Sequence, residues 1–359
     1  MKSKAYLNNL LSLITSIIIV LFCGGIFFYY YHFRQVNAQL IETIPSNAAF
    51  LFQINDNETF IKTVKNIHNY INPLFGLDAY PGCQFFVDQL PGKYNQVVFS
   101  GHTNGETLSI LFACKINERA FKQLLTKLQI DEQNCTSFDN CKIYTYGTHL
   151  KRFVFTYDKG IFLASENITL LRQAITQLKN PRNLTKVKSF DSLFNIMEKN
   201  RKQNWLILNH KRYFSIFESY FNGETNIILN QFASNVSWAA YQVQFSKLNM
   251  SLNGYFSIND TYQEWINNLE HNQLYYSSGS ATYEPIDYEK DDLLKQAKSL
   301  FPTHSEFEIG IRAANSEYWS HYLSETGIKK FTITQMKLFA LSVDSLNTKL
   351  RTANGLIKF

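Results

Sequence analysis

The chain switches repeatedly from strand-like to helix-like hydrophobic patterning. Apolar, strand-like runs, some of which alternate with polar residues, are followed by an asparagine and then by an apolar stripe with helical spacing. In the clearest case, Leu108–Ile116 alternates and ends at Asn117. Apolar residues at i, i+3, i+4 and i+7 come next, namely Phe121, Leu124, Leu125 and Leu128. This pattern predicts a strand followed directly by a helix.

Six such joins occur, each with an asparagine between the predicted strand and the predicted helix. They lie at Asn55, Asn117, Asn167, Asn209, Asn259 and Asn315. An asparagine at a helix N-cap accepts a hydrogen bond from a backbone N–H of the first turn, which stabilises the helix by about 1 kcal/mol relative to alanine. We therefore predict that all six are structural N-caps. Their uneven spacing argues against a solenoid or a propeller.

A predicted hairpin decides the fold class. Two apolar runs flank the short turn Asp158–Gly160, and a turn of this kind joins antiparallel strands. Antiparallel pairing favours an α+β fold over a doubly wound parallel sheet. We expect antiparallel sheets with helices packed on them, built from recurring strand-Asn-helix units.

A break in the helix pattern divides the chain from residue 45 onwards. Pro181 in Lys179–Arg182 discourages continuation of the preceding helix. We therefore expect a first α+β lobe at residues 45–180 and a second at 181–359. One continuous domain is the alternative.

The N-terminal region predicts a membrane anchor. No charged side chain occurs from Ala5 to Tyr31, and residues 10–31 match the roughly 20 residues that a helix needs to cross a bilayer. Lys2 and Lys4, with the amino terminus, outnumber Arg34 as nearby positive charges. The positive-inside rule then places residues 1–34 as a cytoplasmic stub and single-pass transmembrane helix, with the rest of the chain outside.

Two alternatives to an uncleaved anchor are less consistent with the sequence. A signal peptide has a shorter apolar region and a small-residue cleavage site close behind it, but the suitable residues Val36–Ala38 lie well beyond the apolar run. Cys23 resembles the cysteine of a bacterial lipoprotein site, yet Phe22 is bulky where such sites have a small residue. An uncleaved anchor is therefore the prediction.

Composition narrows the classes of partner. The formal charge is +6 and no block of Lys or Arg is present, so we expect no nucleic acid partner. The 30 Phe and 21 Tyr residues favour folded structure over disorder. We expect partners to be the membrane, through residues 10–31, and another protein of the envelope.

Four cysteines follow the anchor, which permits disulfides in an exported domain. Cys135 and Cys141 lie on either side of a predicted turn, and they are the best candidates for a bridge. Their Cα atoms would then lie about 4.4–6.8 Å apart. Cys114 falls on the apolar alternation of its strand and is interpreted as a buried hydrophobic residue.

No motif for catalysis or cofactor binding is present. The sequence lacks Gly-x-Ser-x-Gly, a Gly-rich phosphate loop, Gly-x-Gly-x-x-Gly and His-Glu-x-x-His. We therefore predict no catalytic residues, no cofactor and no metal site. The acidic cluster Glu284–Asp292 is interpreted as the start of a helix, where Asp291 and Asp292 interact favourably with the helix dipole.

The order of elements resembles that of domain-of-unknown-function family 3352, membrane-anchored proteins of bacterial envelopes. The residues that carry the likeness are Ile44–Phe52, Leu108–Leu128, Cys141–Tyr146, Arg152–Leu178 and Trp205–Asn209. The resemblance implies an exported single-pass protein of the inner membrane with no assigned activity. We expect a non-enzymatic periplasmic interaction or scaffold module. The alternative is a hydrolase-like envelope enzyme whose site is assembled from dispersed residues.

Overall fold

A computed structural model describes residues 39–358 in segments, together with a short stretch near the N-terminus. The described residues are 19–26, 39–55, 96–104, 107–148, 151–158, 160–180, 183–217, 230–245, 249–269, 273–278, 283–285, 288–301, 305–313, 338–346 and 350–358. The chain forms two compact units, residues 1–39 and residues 40–359.

In the first unit, residues 19–26 are helical. None of the helices in the described ranges is both long enough and apolar enough to cross a bilayer. Most of residues 10–31 lie outside those ranges, so the anchor stays a prediction.

The second unit is built on one sheet of 15 strands. The strands are β1 (Ala48–Ile54), β2 (Val97–Asn104), β3 (Thr107–Lys115), β4 (Thr136–Phe138), β5 (Cys141–Thr148), β6 (Lys151–Asp158), β7 (Ile161–Ser165), β8 (Trp205–Asn209), β9 (Val236–Phe245), β10 (Asn249–Ile258), β11 (Gln273–Ser278), β12 (Tyr283–Pro285), β13 (Phe307–Ala313), β14 (Leu338–Ser345) and β15 (Leu350–Lys358). Their order is β12-β11-β13-β14-β15-β10-β9-β8-β1-β2-β3-β7-β6-β5-β4. Neighbouring strands are antiparallel except β11 and β13. The predicted α+β class with antiparallel pairing is confirmed.

The two halves of the chain occupy the two halves of this sheet. Strands β1 to β7 lie on one side, β8 to β15 lie on the other, and they meet where β1 pairs with β8. In the first half, β1 is followed by β2 and β3, and the last strand, β7, lies beside β3. In the second half, β8 is followed by β9 and β10, and the last strand, β15, lies beside β10. At the junction Phe52 pairs with Leu206. The two predicted lobes therefore share one continuous sheet.

Six labelled helices and three short 3₁₀ turns accompany the strands among the described residues. They are α1 (Glu118–Lys127), α2 (Ile168–Lys179), α3 (Lys188–Lys199), α4 (His210–Phe217), α5 (Tyr262–Asn267), α6 (Asp292–Lys298), η1 (Leu40–Thr43), η2 (Leu184–Lys186) and η3 (Tyr288–Lys290). Asp291 caps α6 by accepting from the backbone N–H groups of Leu293 and Leu294 at 2.9 and 3.0 Å. The predicted helix start in the acidic cluster is confirmed.

Helices pack on both faces of the sheet. On one face, the ring of Phe121 from α1 stacks on Tyr157 with centroids 4.8 Å apart and meets Phe155 at 6.3 Å. On the other face, Phe190 from α3 meets Trp238 edge-on at 5.1 Å. Ala239 belongs to the same hydrophobic core as Phe121. Trp238 precedes Ala239 on β9, and successive side chains of a strand point to opposite faces of the sheet. Trp238 and Phe190 therefore lie on the face opposite Phe121. The sheet is therefore the middle layer between helices.

The predicted hairpin at Asp158 is confirmed. Strands β6 and β7 pair antiparallel, with Asp158 opposite Ile161. Gly160 in the turn has φ of +88°, a left-handed conformation that glycine adopts without steric cost. The glycine therefore permits the tight reversal that the sequence indicated.

Candidate functional site

Three of the six predicted asparagine caps form as expected. Asn117 accepts a hydrogen bond from the backbone N–H of Ala120 at 2.8 Å. Asn167 accepts from the N–H groups of Thr169 and Leu170 at 2.9 and 3.2 Å. Asn209 accepts from the N–H of Arg212 at 3.3 Å. These side chains start α1, α2 and α4.

The prediction for Asn259 is wrong. The residue at the N-cap of α5 is Thr261, which makes no side-chain capping bond. Asn259 instead accepts from the Ser237 hydroxyl at 2.9 Å and donates to the Ser234 carbonyl. Two turn residues separate Asn259 from α5, so the Asn259 side chain ties the end of β10 to the start of β9 and not to the helix.

The other two predicted caps precede segments that lie outside the described residues. Asn315 itself lies there, as does the segment that follows Asn55. The Asn55 side-chain oxygen accepts from the amides of Gln53 and Gln96 at 3.0 and 2.8 Å, and its backbone N–H donates to Asn204 at 3.0 Å. Asn55 thus links β1 to the starts of β2 and β8.

The predicted Cys135–Cys141 disulfide is absent, because both are free cysteines in the structure. Phe138 pairs with Cys141 across a two-residue turn. Cys135 comes three residues before Phe138, so it lies three residues farther from the turn than the position opposite Cys141. At roughly 3.3 Å per residue, this offset is roughly 10 Å, too far for a bridge. Burial, followed by the Asp158 carboxylate, raises the pKa of Cys141 to about 11, which keeps the thiol protonated.

A hydrogen-bonded arrangement of Asn47 with the buried residues Ser100 and His102 has the connectivity of a hydrolase triad. The Ser100 hydroxyl lies 2.9 Å from His102 Nε2, and His102 Nδ1 lies 3.0 Å from the Asn47 side-chain oxygen. Ser100 and His102 are two residues apart on β2, so they share one face of the sheet. Asn47 precedes β1, and Ala48 pairs with His102. The sequence analysis missed this cluster; its signal was the alternation of two polar residues within an apolar strand.

The chemistry of this triad differs from that of a catalytic one. Burial lowers the pKa of His102 to about 3, and the charge of Arg212 contributes to the same shift. A general base is most effective when its pKa is near the working pH. With Asn47 as the acceptor, His102 is neutral, donates from Nδ1 and accepts from the Ser100 hydroxyl at Nε2. Ser100 is 0% exposed, so a substrate has no access to its oxygen. The arrangement satisfies buried polar groups.

A second buried polar network lies in the second half of the sheet. Arg351 Nε donates to the Glu306 carboxylate at 2.6 Å, and the guanidinium lies 4.9 Å from the ring centre of Tyr262. The Tyr262 hydroxyl donates to the same carboxylate at 3.4 Å. Burial, followed by the charge of Glu306, raises the pKa of Tyr262. Tyr262 is therefore neutral, and this network joins α5 to β15 and β13.

An open groove lies at the end of the sheet that carries β4 and β5. Its volume is about 730 Å³, within the roughly 300–1,000 Å³ that is usual for ligand sites. The connection from α1 to β4 forms one wall, and the end of β5 forms the other. Lining residues are Leu128, Gln129, Ile130, Asp131, Asn134, Thr145, Tyr146, Gly147 and Phe153. The groove combines apolar rings with polar and acidic groups and is accessible from solvent.

Within the described ranges, no group of three or more His, Cys, Asp and Glu side chains could hold a metal ion.

Comparisons with known proteins yield distant structural neighbours only. No protein-family model matches the chain, and no curated protein matches its sequence. Crystal form I of TP0453 aligns with a TM-score of 0.38 and 8% identity, covering 90% of this chain and 94% of that one. Crystal form III of TP0453 aligns with a TM-score of 0.33 and 10% identity, covering 64% and 86%. Similarity at this level does not establish a shared fold or function.

Proposed function

We propose that this chain is a single-pass protein of the bacterial inner membrane whose periplasmic ectodomain acts by binding another envelope component. The observation that carries the proposal is the exposed apolar surface of helical residues 19–26. Val20 and Leu21 are each 70% exposed, and Phe22 is 67% exposed. An apolar surface of this kind is covered by lipid or protein in functional molecules, and an uncharged stretch surrounds it.

A charge placed in this stretch tests the membrane attachment. Leu21→Lys with Phe22→Lys should move the full-length chain from the membrane to the soluble fraction, because each lysine costs about 3 kcal/mol at the centre of a spanning helix. The matched control is Leu300→Lys with Leu346→Lys, since these ectodomain leucines are also exposed and should tolerate the change. Retention of the Leu21/Phe22 variant in the membrane would contradict the proposal. So would a reporter after Phe359 that is active only in the cytoplasm.

The binding role is supported by the contrast between the sealed triad and the open groove. Cross-linking in intact cells, followed by mass spectrometry, should recover an envelope partner linked to the ectodomain. Recovery of no protein, lipid or cell-wall partner would count against binding.

A hydrolase is the second candidate, because Asn47, His102 and Ser100 are bonded in the order of a catalytic triad. Activated serine hydrolases react with fluorophosphonate probes through the serine oxygen. We expect no labelling, since Ser100 is sealed from solvent. Labelling that Ser100→Ala abolishes would establish the enzyme instead.

A further inference from the structure

One edge of the large sheet is only half covered. Strand β4 pairs with β5 from Thr136–Ile143 to Phe138–Cys141, whereas β5 continues to Thr148. Among the described strands, none pairs with the outer side of β5 beyond Ile143. The last part of β5 therefore presents a strand edge.

The pairing pattern identifies the backbone groups that point outward. Asp139 and Asn140 form the two-residue turn with φ of 48° and 61°, so Phe138 and Cys141 close the hairpin as a hydrogen-bonded pair. Outward and inward peptide groups alternate along an antiparallel strand. The outward residues on β5 are therefore Cys141, Ile143 and Thr145, and Thr145 lines the groove.

In the second half of the sheet, a full strand occupies the position that corresponds to the outer side of β5. Counted outward from the β1–β8 junction, β5 and β13 are both the sixth strand. Next to β13 lies β11, which pairs with it in parallel from Gln273–Glu308 to Ser278–Ala313. Among the described strands, the neighbour of β5 on its outer side is the three-residue β4. Within the described part of the chain, a position that holds a full strand in one half of the sheet is therefore partly unfilled in the other half.

The connection between α1 and β4 is held away from this edge by its own hydrogen bonds. Ile130 N–H donates to the Leu125 carbonyl at 2.9 Å, and Asn134 N–H donates to the Asp131 carbonyl at 3.0 Å. Gln129 has φ of 54°, which turns the chain at the end of α1. These backbone groups are bonded within α1 and the connection itself, which forms one wall of the groove and leaves the edge of β5 accessible.

The charged and apolar side chains around the groove determine which ligand fits between the α1–β4 connection and β5. Asp131 and Glu132 are exposed on the connection, and Asp131 lines the groove together with the rings of Tyr146 and Phe153. On β6, Arg152 is directed to the Thr145 hydroxyl at 3.5 Å. The carboxylates favour a basic side chain, and the rings favour an apolar one.

We propose that this groove binds an extended peptide segment of a partner protein, which adds a strand to β5 and carries an apolar side chain beside a Lys or Arg. Addition of a strand to an exposed sheet edge is a general mode of peptide recognition, in which main-chain bonds supply affinity and side-chain pockets supply selectivity. The proposal rests on the proposed function, and it names the surface and the partner class for the binding role.

A displayed library of random peptides, selected against the full-length chain in detergent, tests the proposal. Enriched peptides should alternate apolar with polar residues and contain Lys or Arg. Thr145→Pro removes an outward N–H and should weaken their binding about tenfold. Ser137→Pro is the matched control: Ser137 pairs with Lys142 at a position that points away from β5, and binding should be unchanged.

A charge variant keeps the test decisive if Thr145→Pro fails to fold. Glu132→Lys should weaken the same peptides at low salt, whereas Asp260→Lys, at an exposed acidic residue far along the sequence, should not. A selection that enriches no peptide, or peptides unaffected by Thr145→Pro and Glu132→Lys, would overturn the proposal. Self-association that Thr145→Pro abolishes would assign the edge to a second copy and would also overturn it. Membrane attachment and cross-links in cells test the proposed function independently.

Discussion

Mild acid should destabilise the second unit, residues 40–359, through two buried histidines. Burial lowers the pKa of both His102 and His210 to about 3, with Arg212 adding to the effect at His102. An unfolded histidine has a pKa of about 6.5, so between these values the unfolded chain binds protons that the folded chain does not. Stability is therefore fully present above pH 6.5 and is lost as the pH falls toward 3.

The loss of stability at pH 5 is set by the pKa of the unfolded histidine, because pH 5 lies well above the folded pKa of about 3. Lowering the pH from 7.5 to 5 should remove about 2 kcal/mol of unfolding free energy per histidine. His210 packs edge-on against Phe232, with ring centroids 5.1 Å apart. A similarly sized apolar residue, as in His210→Leu, should therefore fold and should reduce the acid-induced loss by about 2 kcal/mol.

Urea unfolding of the full-length chain in detergent, followed by tryptophan fluorescence at pH 7.5 and 5, measures this difference. Subtracting the variant from the wild type cancels the other titrating groups, including histidines outside the described residues. The variant can be more or less stable overall, because only the change with pH is compared. Equal acid-induced losses in the two proteins would refute the conclusion that His210 is buried and neutral.

Two substitutions test local interactions. Asn167→Ala should lower the unfolding free energy by about 1 kcal/mol and leave partner binding intact, whereas Asn167→Asp, which keeps the capping oxygen, should cost less; equal losses in urea unfolding would contradict the cap. Arg351→Met should cost about 3 kcal/mol because Glu306 loses its buried partner, and adding Glu306→Gln should recover part of it; a double variant no more stable than the single one would contradict this account.

Features that depend on neighbouring residues could be predicted from the sequence. The caps at Asn117 and Asn167 form because each side chain needs only a backbone N–H two or three residues ahead. The hairpin at Asp158 forms because the turn and its two flanking strands are contiguous. In both cases the stabilising contacts lie within a few positions of one another, so the local pattern contains the relevant information.

Features that depend on register could not be predicted in the same way. Asn259 resembles the other join residues in sequence, yet a longer turn directs its side chain to Ser237 on the neighbouring strand. Cys135 and Cys141 are close along the chain, but the pairing of Phe138 with Cys141 separates them. The polar cluster at His102 likewise requires β1 beside β2, a contact between segments far apart in sequence. Such contacts are fixed by tertiary packing, which a single sequence does not report.

The junction of β1 with β8 has a consequence for the synthesis of the chain. The chain leaves the ribosome from its N-terminus, so β1 is made well before Trp205–Asn209 is available to pair with it. In that interval Phe50–Gln53 has an uncovered edge, and such edges promote association between nascent chains. Two chains emerging side by side could exchange their β8 strands and complete each other's sheets. Crowding of newly made chains should therefore favour exchange of β8 between copies over its pairing with β1 of the same chain.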